Sequence, residues 1–588
     1  MARLVDLTKK PYCLDSRQID WVENLVLNMS LDEKLRQLFI HLTARKDEVY
    51  LKEEISSLNC GGVRYNPGLA KDIYNHNYNV QKYSKIPCFI ASNCESGGNG
   101  AFIGGTEVGN ETKVASTRNL DYAYQLGNIS AKEAKAVGVN TIFAPIVDIH
   151  HDFHNPVISN RTFGNDPELV KDMSLKFLKG IHDNGLLSAA KHFPGDGYDE
   201  RDQHLSPSIN PLSKEDWDKS FGMIYKSLIE EGLDMVMAGH IKLPSYEKYF
   251  SPSIKDNEYS PATTSSYLIT DLLKEQLGFN GLVLTDATHM VGLTSSSKRS
   301  EFIPKIIASG CDMILFYNDA NEDFEYIKQG YENGIISEQR LNDAIRRILG
   351  LKAKLGFNDF DLDRDFVKFD ENKINELKKE HSLVAKQVSD DSITLVKNID
   401  NIFPLNPNKT KRILIVPQED ENPFSSFMMK KGPTLYEKIK EKLEKEGFEV
   451  TIFESLMDKA KKLPPNEAMG IIMNVYNNKT PIKDLTSNYD LVIQFAHFDS
   501  HNTVQRISWK LSKGTADIPW YVYELPVIFV SLCSPFHLFD VPQVKTYINC
   551  YDKKEDTIDS LIEKMMGRSK FKGTSPVDAF CNNLDCRY

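Results

Sequence analysis

Short apolar runs that end in glycine or polar residues recur along the first 350 residues of the chain. Stretches with apolar residues three and four positions apart lie between them. Continuous runs of this length are typical of strands buried on both faces, and the three-to-four spacing is typical of amphipathic helices. The runs are 37–41, 62–65, 88–93, 141–148, 186–190, 235–240, 281–286 and 312–317.

The helical stretches between these runs begin at capping residues. Ser30-Leu31-Asp32-Glu33 has the spacing of a capping box, and Asp166-Pro167 combines a cap with a first-turn proline. Eight buried strands alternating with helices predict an α/β fold, a (β/α)8 TIM-type barrel over residues 1–365. An open doubly wound sheet has the same alternation and is the alternative architecture.

The pattern changes after the predicted barrel. Residues 366–390 are charged with helical spacing, and they predict a helical linker. Residues 391–588 predict a smaller C-terminal α/β sandwich domain built on an open sheet. No phosphate loop or dinucleotide fingerprint follows any of its strands, so we expect no cofactor. The second set of apolar runs is 393–396, 413–416, 450–453, 491–495, 527–530 and 546–549.

The composition of the chain bears on its binding partners, its cysteine chemistry and its location. The net charge is −11 and no basic block stands out, which disfavours nucleic acid. The nine Cys are scattered and odd in number, which favours reduced thiols over a disulfide framework. The first residues lack an apolar leader, and the apolar segment 518–533 is interrupted by prolines and a glutamate. We therefore expect a cytoplasmic protein with no membrane partner; its oligomeric state is open.

Ionisable side chains stand where the predicted barrel strands end, which is where barrel enzymes carry their chemistry. Asp286 ends the seventh apolar run, and Lys191 with His192 follows the fifth. Asp286 could instead cap the following turn, and Lys191 and His192 could be a structural pair. Asn93 and Asp148 end the third and fourth runs in the same way.

The loop after the fifth run contains Asp202-Gln203-His204. An Asp that accepts a hydrogen bond from one imidazole nitrogen orients the ring, and the other nitrogen can then exchange a proton near neutral pH. A solvated loop histidine is the alternative. Arg161 is a further donor, unless it forms a salt bridge with Asp166.

Three clustered histidines raise the question of a metal. They are His150, His151 and His154. Adjacent residues rarely face one ion, and Cys581 with Cys586 lacks a matching second pair. We therefore expect no metal site.

Three ordered motifs resemble the β-N-acetylglucosaminidase branch of glycoside hydrolase family 3, two-domain type. They are Asn155 to Gly164, Lys191 to Gly197 with the Asp202–His204 pair, and Gly281 to Asp286. The resemblance implies a retaining double displacement. By that match Asp286 is the nucleophile, and His204 is the acid/base residue oriented by Asp202. Arg161, Lys191 and His192 match the family's donors to sugar hydroxyls, and Asn93 and Asp148 are expected beside them.

Two positions depart from the family pattern. The family usually has His where this chain has Asp196, and its loop after the third strand usually reads Asp-Gln-Glu-Gly-Gly followed by Arg. Here that loop begins at Asn93 and has no Arg before Arg118.

The leading hypothesis is an exo-acting glycoside hydrolase, a β-N-acetylhexosaminidase that removes non-reducing terminal N-acetylglucosamine from a carbohydrate substrate. A β-N-acetylglucosaminide phosphorylase is an alternative, because a neutral His base does not repel phosphate as a carboxylate would. The two remaining alternatives are a β-glucosidase of the same family and a non-catalytic glycan-binding homologue.

Overall fold

The computed structural model describes residues 4–419, 433–473, 481–498, 506–509 and 517–588. The chain divides into two units, of which the first comprises Met1–Glu111 and Asn119–Ala385. The second comprises Thr112–Arg118 and Lys386–Tyr588. The domain bounds expected from the sequence stay predictions.

The first unit is built on eight parallel strands. In chain order they are β1 Phe39–Thr43, β2 Gly62–Tyr65, β3 Phe89–Ser92, β4 Thr141–Ile142, β5 Leu187–Phe193, β7 Met235–Ala238, β9 Leu282–Thr285 and β10 Ile314–Leu315. A separate two-stranded sheet contains β6 Ser208–Ile209 and β8 Ile241–Lys242. The eight-stranded order is β10-β1-β2-β3-β4-β5-β7-β9. A parallel bridge between Leu284 and Met313 joins its two ends, so the barrel is nearly closed.

Each predicted run of the first unit contains a strand, but several strands are shorter than the apolar run. The fourth is limited to Thr141–Ile142, because Pro145 has no backbone N–H for the sheet ladder. Pairing with the next strand resumes at a bridge between Ile146 and Lys191.

Helices surround the strands of the first unit and begin at the predicted caps. Ser30 Oγ accepts from the Glu33 N–H at 3.3 Å, and Glu33 accepts from the Ser30 N–H at 2.9 Å. Asp166 caps the helix that Pro167 opens. The α-helices are Ser16–Asn28, Leu31–Gln37, Glu48–Leu58, Ala70–Tyr83, Leu120–Ala136, Pro167–His182, Lys214–Trp217, Met223–Glu231, Pro244–Phe250, Val291–Thr294, Arg299–Ala308, Ala320–Glu332, Glu338–Lys354 and Leu362–Asp365, with π-helical turns at Asp218–Gly222 and Tyr267–Gln276.

The second unit contains a six-stranded sheet. Its strands are β11 Thr394–Asn398, β12 Arg412–Glu419, β13 Glu449–Ile452, β14 Leu491–His497, β15 Val527–Ser531 and β16 Thr546–Asn549, in the order β11-β16-β15-β14-β12-β13. Among the described strands, only β11 pairs antiparallel with its neighbour, and the sheet that these strands form is open at both edges. The fold class predicted from the sequence, a barrel and a smaller open-sheet domain, is confirmed.

Apolar side chains of the second sheet alternate between two cores. Ile413 and Ile415 belong to one, while Leu414 and Val416 belong to the other, so helices can cover both faces. The helices are Leu435–Lys445, Leu456–Lys461, Pro465–Met473, Ile482–Asn488 and Glu555–Met565, and two more, Glu111–Ser116 and Glu371–Ser392, run across the points where the chain passes between units.

A buried ammonium ties the short segment 112–118 to the rest of the second unit. Lys113 Nζ donates to Asp552 Oδ2 at 2.7 Å, to Ser389 Oγ at 2.9 Å and to Thr557 Oγ1 at 2.8 Å. The Lys113 side chain is completely buried.

The nine Cys are free thiols, as expected, and all except Cys13 are buried. Within the described ranges, no helix is both long and apolar enough to cross a membrane.

Candidate active site

A row of three side chains runs from Asp148 to Asp286 at the carboxyl ends of the strands. His192 Nδ1 lies 2.7 Å from Asp148 Oδ2, and His192 Nε2 lies 3.9 Å from Asp286 Oδ2. Asp148 is fully buried, and its other oxygen accepts from the His192 and Asp196 backbone N–H groups. Since Asp148 orients the His192 ring, Nε2 is directed toward the Asp286 carboxyl group.

Asp286 has the properties of a carboxylate held in its charged form. Burial alone would raise the pKa of Asp286, but the nearby His192, His240 and His204 rings lower it below its ordinary value. One oxygen accepts from the Ala287 N–H at 2.7 Å, which is the turn-capping bond considered from the sequence. The other oxygen is the one that faces His192. Capping and a chemical role are therefore compatible at this position.

In a second cluster, the side chains of Arg161 and Lys191 both pair with the Glu95 carboxylate. Glu95 accepts from Arg161 Nη2 and Nε at 3.0 Å each, and from Lys191 Nζ at 2.5 Å. Burial alone would raise the pKa of Glu95, but Arg161 and Lys191 lower it well below its ordinary range. The alternative of an Arg161 salt bridge to Asp166 is wrong, since the Arg161 guanidinium pairs with Glu95 and the Asp166 side chain caps a helix.

The Asp202–His204 pair lies on the loop that follows β5. His204 Nδ1 lies 2.7 Å from Asp202 Oδ1, and the same oxygen accepts from the His204 N–H at 2.8 Å. This hydrogen bond raises the pKa of His204 above its ordinary value, and the charge of Asp286 adds to the effect. With Nδ1 donating to Asp202, Nε2 is the nitrogen that can exchange a proton with a bound molecule. The His204 side chain is 48% exposed, so that nitrogen is accessible.

Asn93 belongs to neither of the two side-chain clusters that contain the other predicted substrate-binding residues. It follows the end of β3 and is half-buried, and its carbonyl accepts from the Glu95 N–H at 2.9 Å. The structure groups Lys191 with Arg161, and His192 with Asp148 and Asp286. The functional roles assigned to these residues stay predictions.

Several polar residues beside this cluster were not among the predicted site residues. Glu95 pairs with Arg161, a residue 66 positions away, and such a pairing leaves no trace in local sequence. Glu111 is buried near the Glu95 cluster, and burial raises the pKa of Glu111 well above its ordinary value. Further unpredicted polar residues are Asn155, Asp196, Gln203 and His240.

One group of side chains in the described part of the chain has metal-ligand spacing. Ligand atoms of Asp152, His154 and Glu200 lie within 4.8 Å of one another. Glu200 is exposed, and the Asp152 carboxylate accepts from both the N–H and the ring of His154. Hydrogen bonding between Asp152 and His154 accounts for the position of two of the three residues.

Comparisons with known proteins identify the family of the chain. Residues 30–351 match the profile of the glycosyl hydrolase family 3 N terminal domain. A β-N-acetylglucosaminidase/β-glucosidase from Cellulomonas fimi is 37% identical over 585 residues, which is 99% of this chain and 100% of that protein. β-Hexosaminidase A from Pseudoalteromonas piscicida is 28% identical over 363 residues, covering 58% of each chain.

Solved structures give the same relationship. A structure titled β-glucoside phosphorylase BglX superimposes with a TM-score of 0.88 at 38% identity, and 99% of each chain is covered. A family 3 β-N-acetylglucosaminidase from a Paenibacillus species superimposes with a TM-score of 0.73 at 22% identity, over 94% of this chain and 99% of that one, and supports the fold alone. From the match to the family profile and the full-length similarity to the Cellulomonas enzyme, the chain belongs to glycoside hydrolase family 3.

Proposed function

We propose that the protein is a retaining exo-acting glycosidase that removes a non-reducing terminal β-linked N-acetylglucosamine. The observation that carries this proposal is the convergence of an ionised carboxylate, Asp286, with the Asp202–His204 pair at one end of the barrel. Carboxylate attack on an anomeric carbon and proton transfer to the leaving oxygen are the two events a retaining mechanism needs. A cytoplasmic location stays a prediction.

In the first step, the Asp286 carboxylate attacks the anomeric carbon as the bond to the leaving oxygen breaks. His204 Nε2 gives its proton to that oxygen, and Asp202 stabilises the protonated ring beforehand. His192, held by Asp148, faces the nucleophile, and in this proposal Arg161 and Lys191 donate to sugar hydroxyls. In the second step water attacks the anomeric carbon of the glycosyl-enzyme, its proton passes to the now neutral His204 Nε2, and the bond to Asp286 breaks, which restores both residues.

Phosphate is the second candidate for the acceptor. The observation that favours it is the full-length similarity to a structure titled β-glucoside phosphorylase. Once His204 has given up its proton it is neutral, so it does not repel an incoming phosphate as a carboxylate base would. Because phosphate is already an anion, its attack does not require a proton to be removed.

The test measures turnover of 4-nitrophenyl N-acetyl-β-glucosaminide and the matching β-glucoside by wild type and Asp286→Asn. Each reaction is run in phosphate and in a non-nucleophilic buffer, and products are separated as free sugar or sugar 1-phosphate. Preference for the N-acetyl sugar, lost in the variant, supports the proposal. Preference for the plain glucoside overturns the substrate assignment, and undiminished turnover by Asp286→Asn overturns the nucleophile.

The two buffers separate the acceptors. Free sugar at the same rate in both buffers supports hydrolysis. A rate that rises with phosphate and yields sugar 1-phosphate supports phosphorolysis. No turnover of either glycoside favours a non-catalytic glycan-binding protein.

A further inference from the structure

A buried amide, the side chain of Gln203, contributes to holding the loop that carries His204. Gln203 is completely buried, and its Nε2 donates to Asp196 Oδ2 at 3.0 Å. Its Oε1 accepts from the His240 N–H at 3.0 Å, directly after β7. The Gln203 side chain therefore bonds to two different parts of the barrel.

The hydrogen bonds within the Asp202–His204 pair do not connect the loop to the barrel. Both bonds join Asp202 Oδ1 to His204, so they fix the orientation of the His204 ring within its own loop. The loop is held to the barrel by the two side-chain bonds of Gln203, and by the Gly292 and Val291 N–H groups that donate to the Gln203 and His204 carbonyls.

Asp196 is the other half of this connection and is also buried. Its Oδ1 accepts from the Gly197 N–H at 2.7 Å and from Asn155 Nδ2 at 2.8 Å, while Oδ2 accepts from Gln203. Its own N–H donates to Asp148, the partner of His192. All three side-chain partners of Asp196 are donors.

The donor set explains the residue type at position 196. A carboxylate can accept all three bonds, whereas a neutral imidazole has a single acceptor nitrogen. The histidine usual in the family would therefore leave donors of Gln203 or Asn155 without an acceptor.

We propose that Gln203 and Asp196 are a positioning pair that sets the place of His204 relative to Asp286 during proton transfer to the leaving oxygen. The inference rests on the acid/base role proposed for His204. Proton transfer needs a donor within about 2.6–3.2 Å of its acceptor. A shift of about 1 Å in a catalytic group can cost on the order of 100-fold in rate.

A positioning role can be separated from a merely structural one by varying the leaving group. A 2,4-dinitrophenolate leaves without needing a proton, whereas a methoxide needs one. A misplaced acid therefore lowers kcat/KM for the methyl glycoside and spares the dinitrophenyl glycoside, while general damage to the site lowers both. Because kcat/KM reports the step up to the glycosyl-enzyme, the result is independent of whether water or phosphate is the acceptor.

The variants are Gln203→Glu and the exchange variant Asp196→Asn/Gln203→Glu. The single variant puts two carboxylates face to face with the same side-chain shape. In the exchange variant, the new amide at 196 can donate to the new carboxylate at 203, which still accepts from the His240 N–H. The oxygen that accepts from Gly197 and Asn155 is retained. Every bond is kept with one polarity reversed, and the total charge equals that of wild type.

We expect Gln203→Glu to lower kcat/KM for the methyl glycoside by about 100-fold and for the dinitrophenyl glycoside by less than about 3-fold. The exchange variant should recover at least about 10-fold on the methyl glycoside. Equal loss on both glycosides, no loss on either, or no recovery in the exchange variant would overturn the inference. Burial and Asp148 raise the pKa of Asp196 to about 7, so in Gln203→Glu a proton shared by the two carboxyl groups would restore their bond. Gln203→Met, which removes both bonds without adding a charge, is therefore measured beside it, and it also gives the comparison if Gln203→Glu does not fold.

His204→Ala separates this inference from the proposed function. If His204→Ala loses the methyl glycoside selectively and the Gln203 variants do not, only the positioning inference is overturned. If His204→Ala lowers both glycosides equally, the acid/base assignment is overturned and the positioning inference with it.

Discussion

Replacing Glu95 by glutamine would leave two cations facing an amide inside the barrel. Wild-type Glu95 accepts two bonds from the Arg161 guanidinium and one from the Lys191 ammonium. A glutamine keeps one acceptor oxygen but directs an NH2 group at a donor. The variant has almost the same shape, so its effect measures the loss of charge and of hydrogen bonds.

The size of the effect follows from the burial of the three groups. The side chain of Lys191 is 3% exposed, that of Glu95 15% and that of Arg161 23%. Removing one partner of a buried ion pair costs about 3–5 kcal/mol. Lys191 loses its charged partner with almost no access to water, whereas water can reach part of Arg161. We therefore expect Glu95→Gln to lower the free energy of unfolding by about 4 kcal/mol at pH 7.

The pH dependence has a definite sign. The folded-state pKa of Glu95 is lowered, so its stabilising contribution is present above the unfolded value of about 4.3. It is lost as the pH falls through the folded-state pKa. The difference between wild type and variant should therefore shrink by about 1 kcal/mol between pH 7 and pH 3.5.

The assay is urea unfolding followed by tryptophan fluorescence in a Trp509→Phe/Trp520→Phe background. The two remaining tryptophans, Trp21 and Trp217, both lie in the first unit, so the signal reports on the barrel. The control is Glu332→Gln at an exposed helix position, expected to change stability by less than about 0.5 kcal/mol. A loss below about 1 kcal/mol in Glu95→Gln at pH 7 would refute the ion-pair reasoning, and a pH-independent loss would refute the ionised state.

Three further changes test other parts of the structure. Glu111→Gln should stabilise the protein at pH 8 by about 1.4 kcal/mol for each unit by which burial raises the Glu111 pKa, with a gain that vanishes toward pH 4 in urea titrations; a gain that grows on acidification would contradict this. Lys113→Met should cost the second unit about 3 kcal/mol, because Asp552 loses its buried cation although Lys554 stays 3.5 Å from it, and an unchanged melting temperature would be inconsistent with that pairing. Gly197→Ala should cost more than Gly334→Ala in urea unfolding, because both have positive φ but only a Cβ at 197 would lie 2.0 Å from the Ile149 carbonyl; equal costs would show that the loop relaxes freely.

Barrel strands and their polar ends could be predicted because both signals are local. Apolar runs marked the strands, and the residue after each run lies at the mouth by the geometry of a parallel barrel. Lys191, His192 and Asp286 were found in this way. The His204 bond to Asp202 was also predictable, since the two residues are only two positions apart.

Pairings between distant segments could not be predicted from the sequence alone. Arg161 had a nearby acid in Asp166, but in the structure it pairs with Glu95 on another strand end. Gln203 occupies the variable position of the Asp202–His204 motif, and nothing in its neighbourhood pointed to Asp196 or His240. Such contacts depend on which strands the barrel brings together, and local periodicity does not encode that.

The two parts of the second unit are far apart along the chain, and this affects how the unit forms during synthesis on the ribosome. Residues 112–118 emerge roughly 270 residues before residue 386, which at about 5–20 residues per second means a delay of roughly 15–50 s. Throughout that interval the Lys113 ammonium has neither Ser389, Thr557 nor Asp552 to bind. The second unit is therefore completed only after translation has passed the entire barrel. A fragment translated from residue 386 onward would contain Lys554 but lack Lys113, the fully buried cation beside Asp552.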